Sequence, residues 1–76
     1  MDENLREILL SVMKDDSIEI SPESILSADL GISSFDLLQV VYGVETDYSI
    51  SIPADVSKKF VTVQDLMDCI SRLVKE

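Results

Sequence analysis

A chain of 76 residues, of which 46% are hydrophobic, is long enough for one small domain over residues 1–76 and too apolar for a disordered acidic tail. The formal net charge of −9 would repel a nucleic-acid backbone and steer the chain toward basic surfaces. From composition alone, however, a role in solubility is enough to explain the acidic residues. The acidic first residues, the lone Cys69 and the lack of a long apolar run predict a cytoplasmic protein without signal peptide, disulfide or membrane span.

A first helix is predicted over about residues 3–14, capped by Asp2. Its apolar residues recur at helical spacing: Leu5, Ile8, Leu9, Val12 and Met13. Residues 15–32 then form a connection that is long for a helix–helix loop. Six isoleucine and leucine side chains should hold this connection on the core. Ser21 followed by Pro22 predicts a short helical turn, and Gly31 indicates a positive φ or a close backbone approach.

The second helix is predicted from about Ser34 to Asp47, with Ser33 and Asp36 in the S-x-x-D spacing of a capping box. We expect a wide inward face formed by Leu37, Leu38, Val40, Val41, Val44 and Tyr48. The opposite face carries Phe35, Asp36, Gln39, Tyr42, Gly43 and Thr46. The aromatic side chains of Phe35 and Tyr42 are candidate contacts for a partner protein, and packing at the rim of the core is the alternative for both.

Residues 49–52 alternate like a strand but meet Pro53 at once, so an extended loop is expected there. A short helix is predicted over residues 54–60. Thr62 and Asp65 form a second capping pair, which begins a last helix that runs to about Val74. The predicted architecture is therefore all-α: a four-helix bundle with three main helices, one short helix and a long ordered loop between the first two.

Catalytic chemistry has little support in this sequence. There is no histidine, Cys69 has no neighbour that would lower its pKa, and two glycines are too few for a phosphate-binding loop. The acidic residues near residue 15 lack the ligand pattern of a calcium loop, so no metal site is predicted. Ser34 remains, in the first turn of a helix, where free N–H groups and the helix dipole favour an anion. A simple capping role is the alternative, but Ser33 already fills it.

The order and spacing of several motifs resemble those of acyl carrier proteins over almost the whole chain. These motifs are Asp29-Leu30-Gly31-x-x-Ser34-x-Asp36, Glu45-x-Asp47-Tyr48, Ile52-Pro53 and Thr62-Val63-Gln64-Asp65. The resemblance implies a non-catalytic, monomeric carrier whose Ser34 holds 4′-phosphopantetheine, attached from coenzyme A by a phosphopantetheinyl transferase with magnesium. Acyl groups would be held on this arm as thioesters, for fatty-acid or specialised acyl or polyketide-type biosynthesis.

The resemblance also implies docking of partner enzymes with basic patches, such as acyl-transferring enzymes, ligases and synthases, on the second helix. The implied docking acids are Asp36, Glu45 and Asp47, with Asp29 and Asp55 at the margins. Phe35, Gln39 and Tyr42, on the outward face of the same helix, complete the predicted docking residues. An acyl chain would be sheltered among the helices by Leu38, Val41, Ile52 and Leu66, residues that plain core packing explains equally well.

This chain departs from the family pattern at several positions. Ser33 replaces the usual Asp before the modified serine, and Phe35 replaces the usual Leu after it. Gln39 and Thr46 stand where glutamates are common in fatty-acid carriers, which hints at a specialised carrier. Two alternatives therefore remain: a carrier of aminoacyl groups, such as D-alanyl or peptidyl groups, and an unmodified helical interaction module of the same fold.

Overall fold

The computed structural model describes residues 2–74, which form four helices joined by ordered loops. In chain order these are α1 (Glu3–Val12), α2 (Ser34–Tyr48), α3 (Ala54–Ser57) and α4 (Val63–Val74). Over the described residues there is no β-strand, and one isolated antiparallel bridge pairs Ile25 with Thr62. The predicted all-α architecture, with three main helices, one short helix and a long ordered loop after the first, is confirmed.

Two helices end earlier than the sequence pattern predicts. α1 stops at Val12 because Met13 is extended, with φ −80° and ψ 140°. α3 stops at Ser57 because the next hydrogen bonds span three residues instead of four, from the N–H of Lys59 to Val56 and from the N–H of Phe60 to Ser57. The segment that was predicted as helix up to residue 60 is therefore a tighter turn.

The core lies where α1, α2 and α4 meet. Six of its side chains are at most 1% exposed, two from each of these helices: Leu5, Leu9, Val40, Val44, Val63 and Leu66. Apolar residues of the first connection complete the core: Met13, Leu26, Leu30 and Ile32. The prediction that isoleucine and leucine side chains hold this connection on the core is confirmed for Leu26, Leu30 and Ile32, and Ile18 and Ile20 pack against the core partly buried. It was wrong for Ile25, which is 37% exposed because its backbone pairs with Thr62 at the edge of the connection.

Backbone hydrogen bonds fasten the long connection to the segment before α4. The N–H of Leu26 donates to Val61 O at 2.9 Å, and the N–H of Val63 donates to Ser24 O at 3.0 Å. The N–H of Ser24 donates to Ser21 O and closes one tight turn. The chain does not continue from this turn into a helix, because residues 24–26 form hydrogen bonds with the segment before α4 instead. Gly31 has φ +68°, so the prediction of a positive φ is confirmed.

The prediction for Leu38 was wrong. Its side chain is 63% exposed, whereas Val40 and Val44 are fully buried. The physical reason is helical spacing: Val40, Val41 and Val44 share the stripe that faces the core, and Leu38 lies three residues after Phe35 and four before Tyr42, on the outward stripe. Leu37 and Tyr48, also predicted to face inward, are half-buried.

Candidate functional site: the start of α2 and its two grooves

A capping box closes the beginning of α2, as the S-x-x-D spacing predicts. The backbone N–H of Asp36 donates to Ser33 Oγ at 3.1 Å, and the N–H of Ser33 donates to Asp36 Oδ2 at 3.2 Å. Both side chains therefore satisfy backbone groups that a helix start would otherwise leave unpaired. The capping function at this end of α2 belongs to Ser33 and Asp36.

Ser34 is the first residue of α2, and its side chain is exposed. Among residues 2–74, no hydrogen bond holds its hydroxyl group. The chain that leads into it is firmly placed, because Ile32 is buried and its N–H donates to Leu26 O at 2.9 Å. The result is a free hydroxyl at a fixed position beside the N–H groups of a first helical turn.

A groove of about 260 Å³ opens directly beside Ser34, between the start of α2 and the chain that links α3 to α4. We call it the Ser34 groove, and it is lined by Leu26, Ser27, Ile32, Ser33, Ser34, Leu37, Lys58, Phe60 and Val61. Lys58 is the one charged residue in this lining.

A second groove, of about 420 Å³, lies between α1 and α2. This α1–α2 groove is lined by Ile8, Ser11, Val12, Phe35, Leu38, Gln39, Tyr42 and Gly43. Phe35 is 68% exposed and Tyr42 is 72% exposed, so their predicted outward placement is confirmed. Gly43 allows α1 to come close at this point, because a Cβ there would lie 3.3 Å from Ile8 Cγ2.

Similarity to known proteins agrees with this geometry. The family model described as "Phosphopantetheine attachment site" matches residues 3–70. The chain belongs to the acyl carrier protein family. This carrier is 34% identical to an acyl carrier protein of Chlorobium phaeobacteroides over 68 residues, which cover 90% of this chain and 87% of the relative. It is 29% identical to an acyl carrier protein of Campylobacter concisus over 73 residues, covering 96% and 95% of the two chains. The prosthetic group of the family is 4′-phosphopantetheine.

The residues present in this carrier fit a phosphopantetheine group at the start of α2. Attachment requires a hydroxyl that is exposed and not engaged elsewhere, and Ser34 has one. The neighbouring Ser33 does not offer this, because its Oγ accepts the hydrogen bond from Asp36. Lys58, at the side of the Ser34 groove, supplies a positive charge of the kind that phosphate groups attract.

The acidic residues of the carrier's predicted docking face differ in how they are engaged. Glu45 is half-buried, and its Oε2 accepts a 2.7 Å hydrogen bond from the N–H of Ile52. Asp36 is engaged in the capping box, and Asp29 Oδ2 accepts a 2.7 Å hydrogen bond from the N–H of Ile25. Asp47 and Asp55 are exposed. Of the three acids predicted for docking on α2, Asp47 is therefore the exposed one, whereas Asp36 and Glu45 accept hydrogen bonds within the protein.

The four residues predicted to line an acyl pocket in this carrier do not come together. Val41, Ile52 and Leu66 are all in the core and at most 8% exposed. Leu38 lies outside the core, in the α1–α2 groove. Core packing, the alternative stated above, accounts for the first three in this structure.

Sequence reasoning missed the part of the α1–α2 groove that α1 contributes, namely Ile8, Ser11 and Val12. The available signal was Gly43, a glycine within an otherwise apolar helix, which often marks a close approach of another element. In the same way, Lys58 and Phe60 were assigned no part in the site, although both line the Ser34 groove.

Three other possibilities were considered in the sequence: a reactive thiol, a metal site and a membrane-spanning helix. Cys69 is 2% exposed, and burial raises the pKa of its thiol, which disfavours the reactive thiolate. Within the part of the chain that the structure describes, no cluster of three or more potential ligand side chains could hold a metal ion. None of the helices between residues 2 and 74 has both the length and the apolar character needed to cross a membrane.

Proposed function

We propose that this chain carries acyl groups on a 4′-phosphopantetheine arm attached to Ser34. The observation that carries the proposal is the division of labour between the two adjacent serines. Ser33 Oγ caps α2 by accepting the 3.1 Å hydrogen bond from Asp36, which leaves the exposed Ser34 hydroxyl free. The family membership supplies the identity of the group.

The role of the protein in this function is that of a carrier and not of a catalyst. The thiol of the arm supplies the chemistry, since it holds the acyl group as a thioester. The protein presents the Ser34 hydroxyl to a phosphopantetheinyl transferase, keeps it at a fixed position through the buried Ile32, and offers α2 to the enzymes that load and unload the cargo. We place it in the cytoplasm, as a monomeric single domain over residues 1–76.

The first experiment measures the mass of the intact protein after incubation with coenzyme A, magnesium and a broad-specificity phosphopantetheinyl transferase. Wild type and Ser33→Ala should gain one phosphopantetheine, and Ser34→Ala should not. Ser33→Ala is the matched control, because it removes the neighbouring hydroxyl and the cap, at a cost of about 0.5–2 kcal/mol in the free energy of unfolding.

Two outcomes of this experiment would overturn the proposal. A mass gain in Ser34→Ala that is lost in Ser33→Ala would move the attachment to the other serine. No gain in the wild type, with a transferase that modifies another acyl carrier protein in the same assay, would favour the unmodified interaction module.

We further propose that partner enzymes dock on the outward stripe of α2, over the α1–α2 groove. Phe35, Leu38 and Tyr42 are all more than 60% exposed and together form an apolar surface next to Ser34. Of the acids on α2, Asp47 is exposed, whereas Asp36 and Glu45 are engaged in hydrogen bonds within the protein. This face thus offers a partner more apolar surface and less free negative charge than the family pattern implies. We therefore place the carrier in a specialised acyl pathway with a dedicated ligase or synthase.

The same transferase serves as the probe for docking. Tyr42→Ala should lower its kcat/KM by about tenfold, the effect of losing a central aromatic contact worth about 1.4 kcal/mol. Val74→Ala is the control, because Val74 is also exposed but lies near the end of α4. Equal kcat/KM values for the two variants would remove the outward stripe from the proposed docking surface.

A further inference from the structure

Ser34 and Lys58, both exposed, line the same groove, the Ser34 groove. Apolar residues also line it, including Leu37 of α2 and Phe60 and Val61 of the chain before α4. A negatively charged group bonded to Ser34 would thus enter a groove that is lined by a lysine and by apolar side chains.

The position of Lys58 is set by the turn that ends α3. The N–H of Lys58 donates to Ala54 O at 3.0 Å, and the next two residues continue with tighter bonds, Lys59 N–H to Val56 O and Phe60 N–H to Ser57 O. Both lysines are exposed, but Lys58 lines the Ser34 groove and Lys59 is not among the residues that line it.

The part of a phosphopantetheine arm next to the protein combines a charged group with an apolar group. It begins with a phosphodiester, which carries one negative charge, and continues through a methylene group to a carbon that bears two methyl groups. An ammonium group is a compact point charge that suits a phosphate oxygen, and the methyl groups suit an apolar surface. The charge of Lys58 and the apolar side chains of Phe60 and Val61 therefore match the two chemical groups in the first part of the arm.

We propose that Lys58 forms an ion pair with the phosphodiester on Ser34, and that this pair holds the first part of the arm in the Ser34 groove. The inference rests on the proposed function, since it requires the arm on Ser34. Lys58 acts here as a positioning residue. The chain has a net charge of −9, and the positive charge of Lys58 offsets the repulsion between that charge and the phosphodiester. The arm is released when a partner enzyme binds it more tightly than the groove does.

The test compares backbone amide NMR shifts of the protein before and after loading with phosphopantetheine, for wild type, Lys58→Gln and Lys59→Gln. In wild type and Lys59→Gln, loading should shift the amides of Phe60 and Val61 as well as those around Ser34. In Lys58→Gln, the shifts at Phe60 and Val61 should fall to less than half, while those around Ser34 persist. The two variants remove the same charge, so only the position of the lysine differs.

The proposal is overturned if Phe60 and Val61 do not shift on loading of the wild type, or shift equally in Lys58→Gln. Intact mass separates this from failure of the proposed function, in which the wild type would gain no phosphopantetheine at all.

A measurement on the wild type alone decides the matter if Lys58→Gln is not loaded or does not fold. Salt at about 1 M shortens the screening length to about 3 Å and weakens an exposed ion pair. The amide chemical shifts of Phe60 and Val61 in the loaded protein should then return toward those of the unloaded protein in the same salt. Shifts that stay the same across this range of salt would overturn the ion pair.

Discussion

The carboxylate of Glu45, in the last turn of α2, accepts a 2.7 Å hydrogen bond from the backbone N–H of Ile52. The main-chain carbonyl of Glu45 also accepts from the N–H of Ile50 at 3.1 Å. Since Ile52 is 6% exposed and belongs to the core, one residue fastens the chain that leads from α2 to α3. Glu45, predicted as a docking acid, therefore has a structural role in addition to any contact with partners.

We predict that Glu45→Ala lowers the free energy of unfolding by about 1–3 kcal/mol, because it leaves the partly buried N–H of Ile52 without its acceptor. Asp47→Ala, on the same helix and exposed, should change it by less than about 0.5 kcal/mol. Urea unfolding followed by circular dichroism measures both values. Equal losses in the two variants would show that the Glu45 hydrogen bond contributes nothing to stability.

A pair of leucine substitutions tests which residues of the helices form the core. Leu66 is 0% exposed, and Leu66→Ala should cost about 2–5 kcal/mol through lost burial and the cavity that remains. Leu38→Ala, the same chemical change at a residue that is 63% exposed, should cost less than about 0.5 kcal/mol. The same urea experiment applies. A large loss of stability in Leu38→Ala would show that its side chain packs against the protein in solution.

Local features of this fold could be predicted well from the sequence. The caps of three helices depend on side chains two or three residues from the N–H groups that they bind, as in Asp2 with Asn4, Ser33 with Asp36 and Thr62 with Asp65. Such bonds depend on local spacing, so a short motif is sufficient to predict them. The candidate site at Ser34 was predicted from this local motif together with the resemblance to acyl carrier proteins.

Features that depend on how distant segments pack could not be predicted in this way. The outward position of Leu38 follows from which stripe of α2 faces its neighbours, and an apolar residue at the edge of a stripe fits either side. The bridge between Ile25 and Thr62 and the groove that Ser34 shares with Lys58 join residues far apart in sequence. No periodicity in the sequence encodes these contacts.

Gly31 offers a test of the backbone geometry before the serine pair. Its φ of +68° is unfavourable for residues with a side chain, and no atom lies within 4 Å of where a Cβ would be. Gly31→Ala should therefore cost about 1–2 kcal/mol from backbone strain alone. Gly31→Asn should cost less, since asparagine adopts this conformation more readily. Thermal unfolding would rank the three proteins, and an alanine variant as stable as wild type would contradict the positive φ.

Tyr48 and Asp2 link the end of α2 to the start of α1 and should make stability depend on pH. The Tyr48 hydroxyl donates a hydrogen bond to Asp2 Oδ2. Burial, with the hydrogen bond to Asp2 as the second cause, raises the pKa of Tyr48 from 10.0 to about 12. The hydrogen bond from Tyr48 is the main cause that lowers the pKa of Asp2.

The sign of each effect follows from which state of the protein binds the proton more tightly. The folded protein holds the Tyr48 proton more tightly than the unfolded chain does. The stabilisation is thus complete below pH 10.0 and is lost as the pH rises toward about 12. For Asp2 the folded protein holds the proton less tightly. Its contribution is present above the ordinary value of 3.8 and is lost as the pH falls through the lowered pKa.

We predict that the free energy of unfolding of the wild type falls more steeply above pH 10.0 than that of Tyr48→Phe, which lacks the titrating hydroxyl. Tyr42→Phe is the control, because it makes the same chemical change at a tyrosine that is 72% exposed. Urea unfolding at a series of alkaline pH values measures the three slopes, and the three proteins differ only in their tyrosine hydroxyl groups. If Tyr48→Phe declines as steeply as Tyr42→Phe, the Tyr48 hydroxyl is not held in the folded protein as the structure shows.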